Sequence, residues 1–210
     1  MVGIIKNLQN HRYMKKMMYN EPYGLQEAVL NGSKTMTRRD ELSDAVEIIG
    51  WLLDGLKDGE HANTIMYKDK DGNRKFHKCK YRVGEVVAVA QPYKVAINEL
   101  DWANRIIYED SAGWNNKMFV KADLMPHQQR ITGIKVERLQ DISDIDCLKE
   151  GIEEHMKDVQ YGYPSKIGYC GQYPFDTPRK AFAALIDKIS GKGTWERNEY
   201  HVVYYYKLLK

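Results

Sequence analysis

The apolar positions of this chain fall into short runs whose spacing switches between two residues and three or four. Alternation marks extended chain, whereas threes and fours line up one face of a helix. KKMMY (residues 15–19) predicts a short strand, broken by Glu21-Pro22. GLQEAVLNG then predicts a short helix with Leu25, Ala28 and Val29 on one face and Gly32 as its C-terminal stop. Beyond Asp40 the residues Ala45, Ile48, Ile49, Leu52, Leu53 and Leu56 recur at threes and fours. They predict a second helix that ends before Gly59.

NTIMYKDKDGNRKFHKCKY reads as a β-hairpin, two β-favouring runs around the turn residues Asp71-Gly72. In RVGEVVAVAQPY, Gly84 supplies a turn and Val86, Val87 and Val89 a buried strand that ends near Pro92. Residues 95–110 are expected to be helical in part, burying Leu100, Ile106 and Ile107. RITGIKVERLQDIS starts a strand near Arg130, and Ser143 with Asp146 forms a capping-box-like start for the helix SDIDCLKEG. The stretch 157–175, rich in Gly, Tyr and Pro, reads as a loop. Thr177-Pro178 opens the next helix, whose core face is Phe182, Leu185, Ile186 and Ile189 before Gly191. EYHVVYYYKLL is a last strand.

Short strands interleaved with short helices, without regular βαβ spacing, define an α+β class. The expectation is one domain over residues 1–210, with a small mixed or barrel-like sheet and peripheral helices.

Composition narrows the function. Hydrophobic residues at 43% suffice for a real core, and 15 tyrosines against 4 phenylalanines suit half-buried strands and base-stacking surfaces equally. A net charge of +3 permits an anionic partner without demanding one. Cys79, Cys147 and Cys170 form no CxxC pair, which argues against a disulfide framework and for a reducing cytoplasm. His77 and Cys79 would give a metal two ligands where structural zinc takes about four, so neither metal nor cofactor is expected. The first twenty residues lack the apolar run of a signal peptide, and no segment reaches the ~20 apolar residues of a membrane span.

The densest candidate chemistry is GSKTMTRR (residues 32–39). A P-loop would need GxxxxGK[ST] between a strand and a helix; here a helix precedes it and the earlier glycine is missing. Three readings remain. Lys34, Arg38 and Arg39, with Arg130 and Arg138 along the central strand, could neutralise phosphates. The cluster could equally be a solvated positive turn. Or Lys34 could activate Thr37 as a nucleophile, provided the chain still turns between them, since in a regular strand they would face opposite ways.

Taken together, NGSKTMTRR, YRVGEVVAV and LMPHQQRITGIKVERLQDISDIDCLKEGI, with the late AFAALIDKISGKGTW and EYHVVYYYKLLK, resemble the ASCH family of the PUA-like superfamily. The similarity is greatest to a prophage-associated branch with a G-[RK]-K-T-x-T-R-R turn, a G-D-x-[LV]-x-V strand and an M-P…R-I-T strand. The resemblance implies a β-barrel of five to six strands with a cleft beside the KTxTRR turn, and insertions here at about 40–80, 94–117 and 153–175. It implies a link to RNA or to a modified nucleoside. One ASCH subfamily removes the acetyl group from N4-acetylcytidine with a Lys, a Thr and a Glu, which match Lys34, Thr37 and Glu150. Where prophage relatives read V-R-E-T-W, this chain reads Val89-Ala90-Gln91-Pro92-Tyr93. Gln91 and Tyr93 therefore join Arg38, Arg39 and Arg130 as expected ligand contacts, Tyr93 as a stacking surface.

Three functions follow as expectations: an RNA- or modified-nucleoside-binding protein, an amidohydrolase of N4-acylated cytidine, or a phage accessory protein whose inserted segments, such as the tyrosine-rich YGYPSKIGYCGQYPF, bind a protein partner.

Overall fold

Two long strands near the end of the alternating pattern organise the molecule, which is described by a computed structural model over residues 13–52, 63–96, 111–155, 160–164 and 172–209. In chain order the strands are β1 (Lys15–Met17), β2 (Met36–Leu42), β3 (Ala45–Trp51), β4 (Thr64–Asp69), β5 (Arg74–Lys78), β6 (Val86–Val89) and β7 (Gln128–Arg138). They continue with β8 (Glu153–His155), β9 (Gln160–Tyr163), β10 (Gln172–Phe175) and β11 (Tyr200–Leu209). The helices are α1 (Leu25–Leu30), α2 (Tyr93–Ala96), α3 (Asp144–Lys149), α4 (Pro178–Ser190) and α5 (Thr194–Arg197). Among the described residues no helix is long and apolar enough to cross a membrane.

The main sheet runs β1-β6-β7-β11-β2, mixed because β1 pairs parallel to β6 while the other neighbours are antiparallel. Among the described residues no pairing joins β2 back to β1, so the fold is a mixed α+β arrangement around an open five-stranded sheet. Val202 and Tyr204 of β11, Ile131 of β7, and Val87 and Val89 of β6 line its main core, against Phe182 and Leu185 of α4. Strand β6 is buried on both faces. Its odd positions enter that core, whereas Ala88, with Ala90 just beyond, packs into a second cluster with Tyr93, Val120 and Met125. That explains why VVAVA is a continuous apolar run and not an alternating one.

The helix starts follow their caps. The Thr177 hydroxyl accepts from the Lys180 N–H with Pro178 in the first turn, and the Ser143 hydroxyl accepts from the Asp146 N–H. Gly32 adopts φ 84° just past α1, the left-handed stop expected of a glycine there.

Two expectations are corrected. Residues 45–51 form strand β3 and not a helix, in a three-stranded sheet β3-β4-β5 with the predicted hairpin. Two bulges in β3, between Ala45 and Glu47 and between Ile48 and Gly50, are the cause. Each adds a residue to the alternation, so Ala45, Ile48 and Trp51 meet the core at intervals of three. Leu53, Leu56 and Gly59 lie outside the described residues, as do Leu100, Ile106 and Ile107. Within 157–175, Tyr161 and Tyr163 belong to β9 and Phe175 to β10, in a third small sheet β10-β9-β8. Pro174 is accommodated because β10 is an edge strand.

Candidate active site

The turn between α1 and β2 lies against the C-terminal end of α3. A helix end leaves carbonyls without intrahelical donors, and cations are favoured beside them. Here the Thr35 N–H donates to the Lys149 carbonyl (3.0 Å), and Lys34 Nζ donates to the Glu150 carbonyl (2.7 Å). Tyr206 N–H of β11 holds the turn from the other side by donating to the Thr35 carbonyl (3.0 Å). Gly151, at φ 101°, lets the chain leave the helix; a Cβ there would sit 3.0 Å from Leu25 Cδ2 and 3.6 Å from Lys34 Cδ.

These contacts bury Lys34 (2% exposed) and Glu150 (5%) together. Lys34 Nζ donates to Glu150 Oε2 at 2.6 Å, and Arg38 Nη1 donates to Glu150 Oε1 at 2.8 Å. Arg38 Nη2 reaches Glu137 Oε1 on β7, and Lys135 Nζ holds the other Glu137 oxygen at 2.7 Å. The charges therefore alternate in sign from the turn to the surface. The Arg38 guanidinium also packs over the Phe182 ring, 5.6 Å from its centroid. Burial pushes the Lys34 ammonium below the ordinary lysine value, Arg39 and Arg38 act in the same direction, and Glu150 opposes them.

A cavity of about 180 Å³ opens here. Lys34, Thr37, Arg38, Arg39 and Glu150 form its polar wall, while Phe182, Leu185, Ile186 and Ile189 of α4 form an apolar one with Leu25. Thr37 is buried in the polar wall beside them. The lysine ammonium has three donors, of which Glu150 takes two, leaving one for the cavity. Cys79 and Cys147 are buried free thiols whose pKa values are both pushed up to about 12 by burial, so neither is a ready nucleophile.

The expected site residues divide. Lys34, Thr37, Arg38, Arg39 and Glu150 all line this cavity, Arg39 donating to the Met18 carbonyl (2.7 Å) and lying over the Tyr19 ring. Arg130, Gln91 and Tyr93 are placed elsewhere. Arg130 is exposed, donating to the Gly84 carbonyl, seven residues along β7 from Glu137 and so roughly 23 Å away at ~3.3 Å per residue. Gln91 is buried with His127, their side chains 2.9 Å apart. Tyr93 belongs to the second core cluster, its hydroxyl accepting from the Lys121 N–H at 2.8 Å, and its ring is not free to stack. Reading the sequence missed Glu137 and Tyr19. The signal for Glu137 was its place as a charged residue in the Lys135-Val136-Glu137-Arg138 run; the sheet sets that run across β11 from β2, which carries Arg38 and Arg39. Among the described residues, no group of His, Cys, Asp and Glu could hold a metal ion.

Against known proteins, no family model, curated protein or solved structure matches the chain.

Proposed function

We propose that the cavity beside GSKTMTRR is the active site of an ASCH-type amidohydrolase that removes an acyl group from the exocyclic amine of a nucleobase, an N4-acylated cytosine. The ASCH resemblance supplies the substrate class, and with it the proposal that the open sheet is a PUA-like barrel of a phage or prophage protein. One observation supports the reading above all: Lys34 and Glu150 meet at 2.6 Å in the same small cavity that Thr37 lines. The cavity is smaller than the ~300–1,000 Å³ typical of sites that bury a whole drug-sized ligand, so it suits one flat base and not an entire nucleoside.

The chemistry runs through the coupled pair. Transfer of the Lys34 proton to Glu150 leaves a neutral amine and a carboxylic acid, a step helped by burial of the Lys34 ammonium. The amine takes the Thr37 hydroxyl proton as Oγ1 bonds to the acyl carbon. The C–N bond then breaks, and the departing amine takes the Glu150 proton. Lys34 and Glu150 are then back in their starting state, and water cleaves the threonine ester, releasing the carboxylic acid and restoring the Thr37 hydroxyl. The spare Lys34 donor and the Arg38–Glu150 contact hold the pair in place throughout.

The experiment is to follow cytidine release from N4-acetylcytidine by chromatography. Thr37→Val removes only the hydroxyl; the expected result is loss of turnover with the fold intact by circular dichroism. Release unaffected by Thr37→Val sinks the covalent route. Binding without turnover is the second reading, and one observation favours it: Lys34 is doubly held by Glu150, as a purely structural cation would be. No release from any acylcytidine, together with measurable nucleoside affinity, is the outcome that selects it.

A further inference from the structure

The hairpin β4-β5 leaves one sheet edge open. Among the described residues β5 is an outer strand of the sheet β3-β4-β5, and its residues 74–78 lie outside the motifs that carry the ASCH resemblance. The register decides which of its backbone groups are used. β5 pairs antiparallel with β4 without a shift, Phe76 opposite Met66 and Arg74 opposite Lys68. Just beyond the two ends of the ladder, the Cys79 N–H donates to the Asn63 carbonyl (2.7 Å) and the Asp69 N–H to the Asn73 carbonyl (3.0 Å). Bonded positions alternate in an antiparallel pair, so Lys75 and His77 direct their N–H and C=O groups at β4. Those of Arg74, Phe76 and Lys78 point away from the sheet, where no described strand takes them.

The side chains divide in the same way, odd positions to one face and even to the other. Lys75 is paired with Asp44 (2.9 Å) and Asp69 (3.0 Å), and His77 contacts Glu41 of β2 at 2.9 Å, so the odd face holds the strand in place. Arg74, Phe76 and Lys78 share the other face and are all exposed, Phe76 by 58%. Among the described residues neither Arg74 nor Lys78 has a carboxylate partner. Basic residues on an edge guard it against pairing with its own kind. They do so here, since two β5 strands paired antiparallel about Phe76 would set Arg74 against Lys78 twice. One exposed phenylalanine means nothing by itself. This one stands midway between two unpaired cations, on a strand whose outward backbone groups are unused.

We infer that the β5 edge is a docking site for an extended acidic segment of another protein, which adds as a fourth strand beside β5. The register prescribes the segment's pattern. Residues set opposite Arg74, Phe76 and Lys78 share their face, so the segment reads acidic-x-apolar-x-acidic, the same in either chain direction. Its apolar residue continues the row that Met66 and Phe76 begin, and its two carboxylates meet the two cations. Backbone hydrogen bonds supply the affinity, and charge excludes both basic strands and a second β5. The site is independent of the cavity beside Lys34.

The test uses a capped, fluorescein-labelled peptide of sequence TTETVTETT, titrated at low salt by fluorescence anisotropy, with the same peptide carrying lysine in place of glutamate as control. The expected result is saturable binding of the glutamate peptide alone. On the wild-type protein, amide hydrogen exchange followed by NMR should slow at Arg74, Phe76 and Lys78 when that peptide binds, and stay unchanged at Lys75 and His77, whose N–H groups are already bonded to β4. The variant Arg74→Glu/Lys78→Glu, with thermal melts as the folding control, is expected to lose about tenfold in affinity for the glutamate peptide and to take the lysine peptide instead, since it turns two opposite-charge pairs into like-charge ones. Wild-type protein with no affinity for the glutamate peptide, or with equal affinity for both peptides, overturns the inference. So does binding that leaves exchange at the three outward amides unchanged. Slow exchange at those amides without peptide, growing with protein concentration, assigns the edge to a second copy of the chain and overturns it as well.

Discussion

Among the described residues a lysine meets a glutamate at 2.6 Å in two places, and the two pairs have almost nothing else in common. Lys34 and Glu150 expose 2% and 6% of their side chains, whereas Lys68 and Glu47, on the sheet β3-β4-β5, expose 43% and 57%. Lys68–Glu47 is solvated and screened, so its energy is small despite ideal length. Lys34–Glu150 is shielded from water, and each charge depends on its partner to offset a desolvation cost of several kcal/mol. Contact distance does not rank the two pairs; hydration does. The buried pair is also the one whose protonation can be moved by its surroundings, which is what acid–base chemistry requires.

The most severe way to break the buried member is Glu150→Ala. It strands Lys34 and leaves Arg38 with Glu137 alone, and the expected cost is about 3–5 kcal/mol in urea unfolding, the range for removing one partner of a buried pair. Next in size is the catalytic effect. Lys34→Met is expected to lower acylcytidine turnover by about 10²–10⁴-fold, as for loss of a general base. The mechanism only moves a proton within the pair, and the Lys34 pKa lies below the ordinary lysine value of 10.5. The wild-type rate should therefore fall with rising pH along a limb below that value as the pair loses its proton; a rate that rises through that range would contradict it. A smaller effect tests a third environment. Asp187 of α4 accepts from the Gly193 and Trp195 N–H groups at 3.0 and 2.9 Å, tying down α5. The Trp195 contact leads in holding its pKa below the ordinary 3.8. Asp187→Ala should cost about 1–2 kcal/mol at neutral pH, like a lost cap. A carboxyl with a depressed folded-state pKa contributes stability above its unfolded value and loses it in acid, so the gap between variant and wild type should close as pH falls below 3.8. Least of all, Lys68→Ala should change unfolding by no more than ~1 kcal/mol, and by less still in high salt.

Most of the framework was legible because local chemistry settled it. Caps at Ser143 and Thr177, the Gly32 stop, the Asp71-Gly72 turn and the β-favouring run of valines and tyrosines in residues 200–209 each act within a few residues. Strand β3 was misread for an equally local reason, since two bulges give an extended chain a spacing of three. The strands β9 and β10 were hidden by Gly and Pro, which pairing and an edge position tolerate. The site was legible only through the family resemblance, which joined Lys34 to Glu150 across 116 residues of sequence. Arg130, Gln91 and Tyr93 show where such reasoning fails: strand β6 buries both faces, and the side that takes Tyr93 turns away from the cavity.

The position of β11 between β7 and β2 also dictates when the cavity can exist. On the ribosome, β7 and α3 emerge more than fifty residues before the strand that joins their sheet to the Lys34 turn. Until residues 200–209 are free, nothing hydrogen-bonds Thr37 to its Tyr204 neighbour or holds the Thr35 carbonyl, and buried lysine and glutamate alike remain hydrated. A nascent chain still lacking β11 therefore has no formed cavity. The pocket closes only once β11 has entered the sheet, completing a non-local pairing of the kind that limits the rate of such folds.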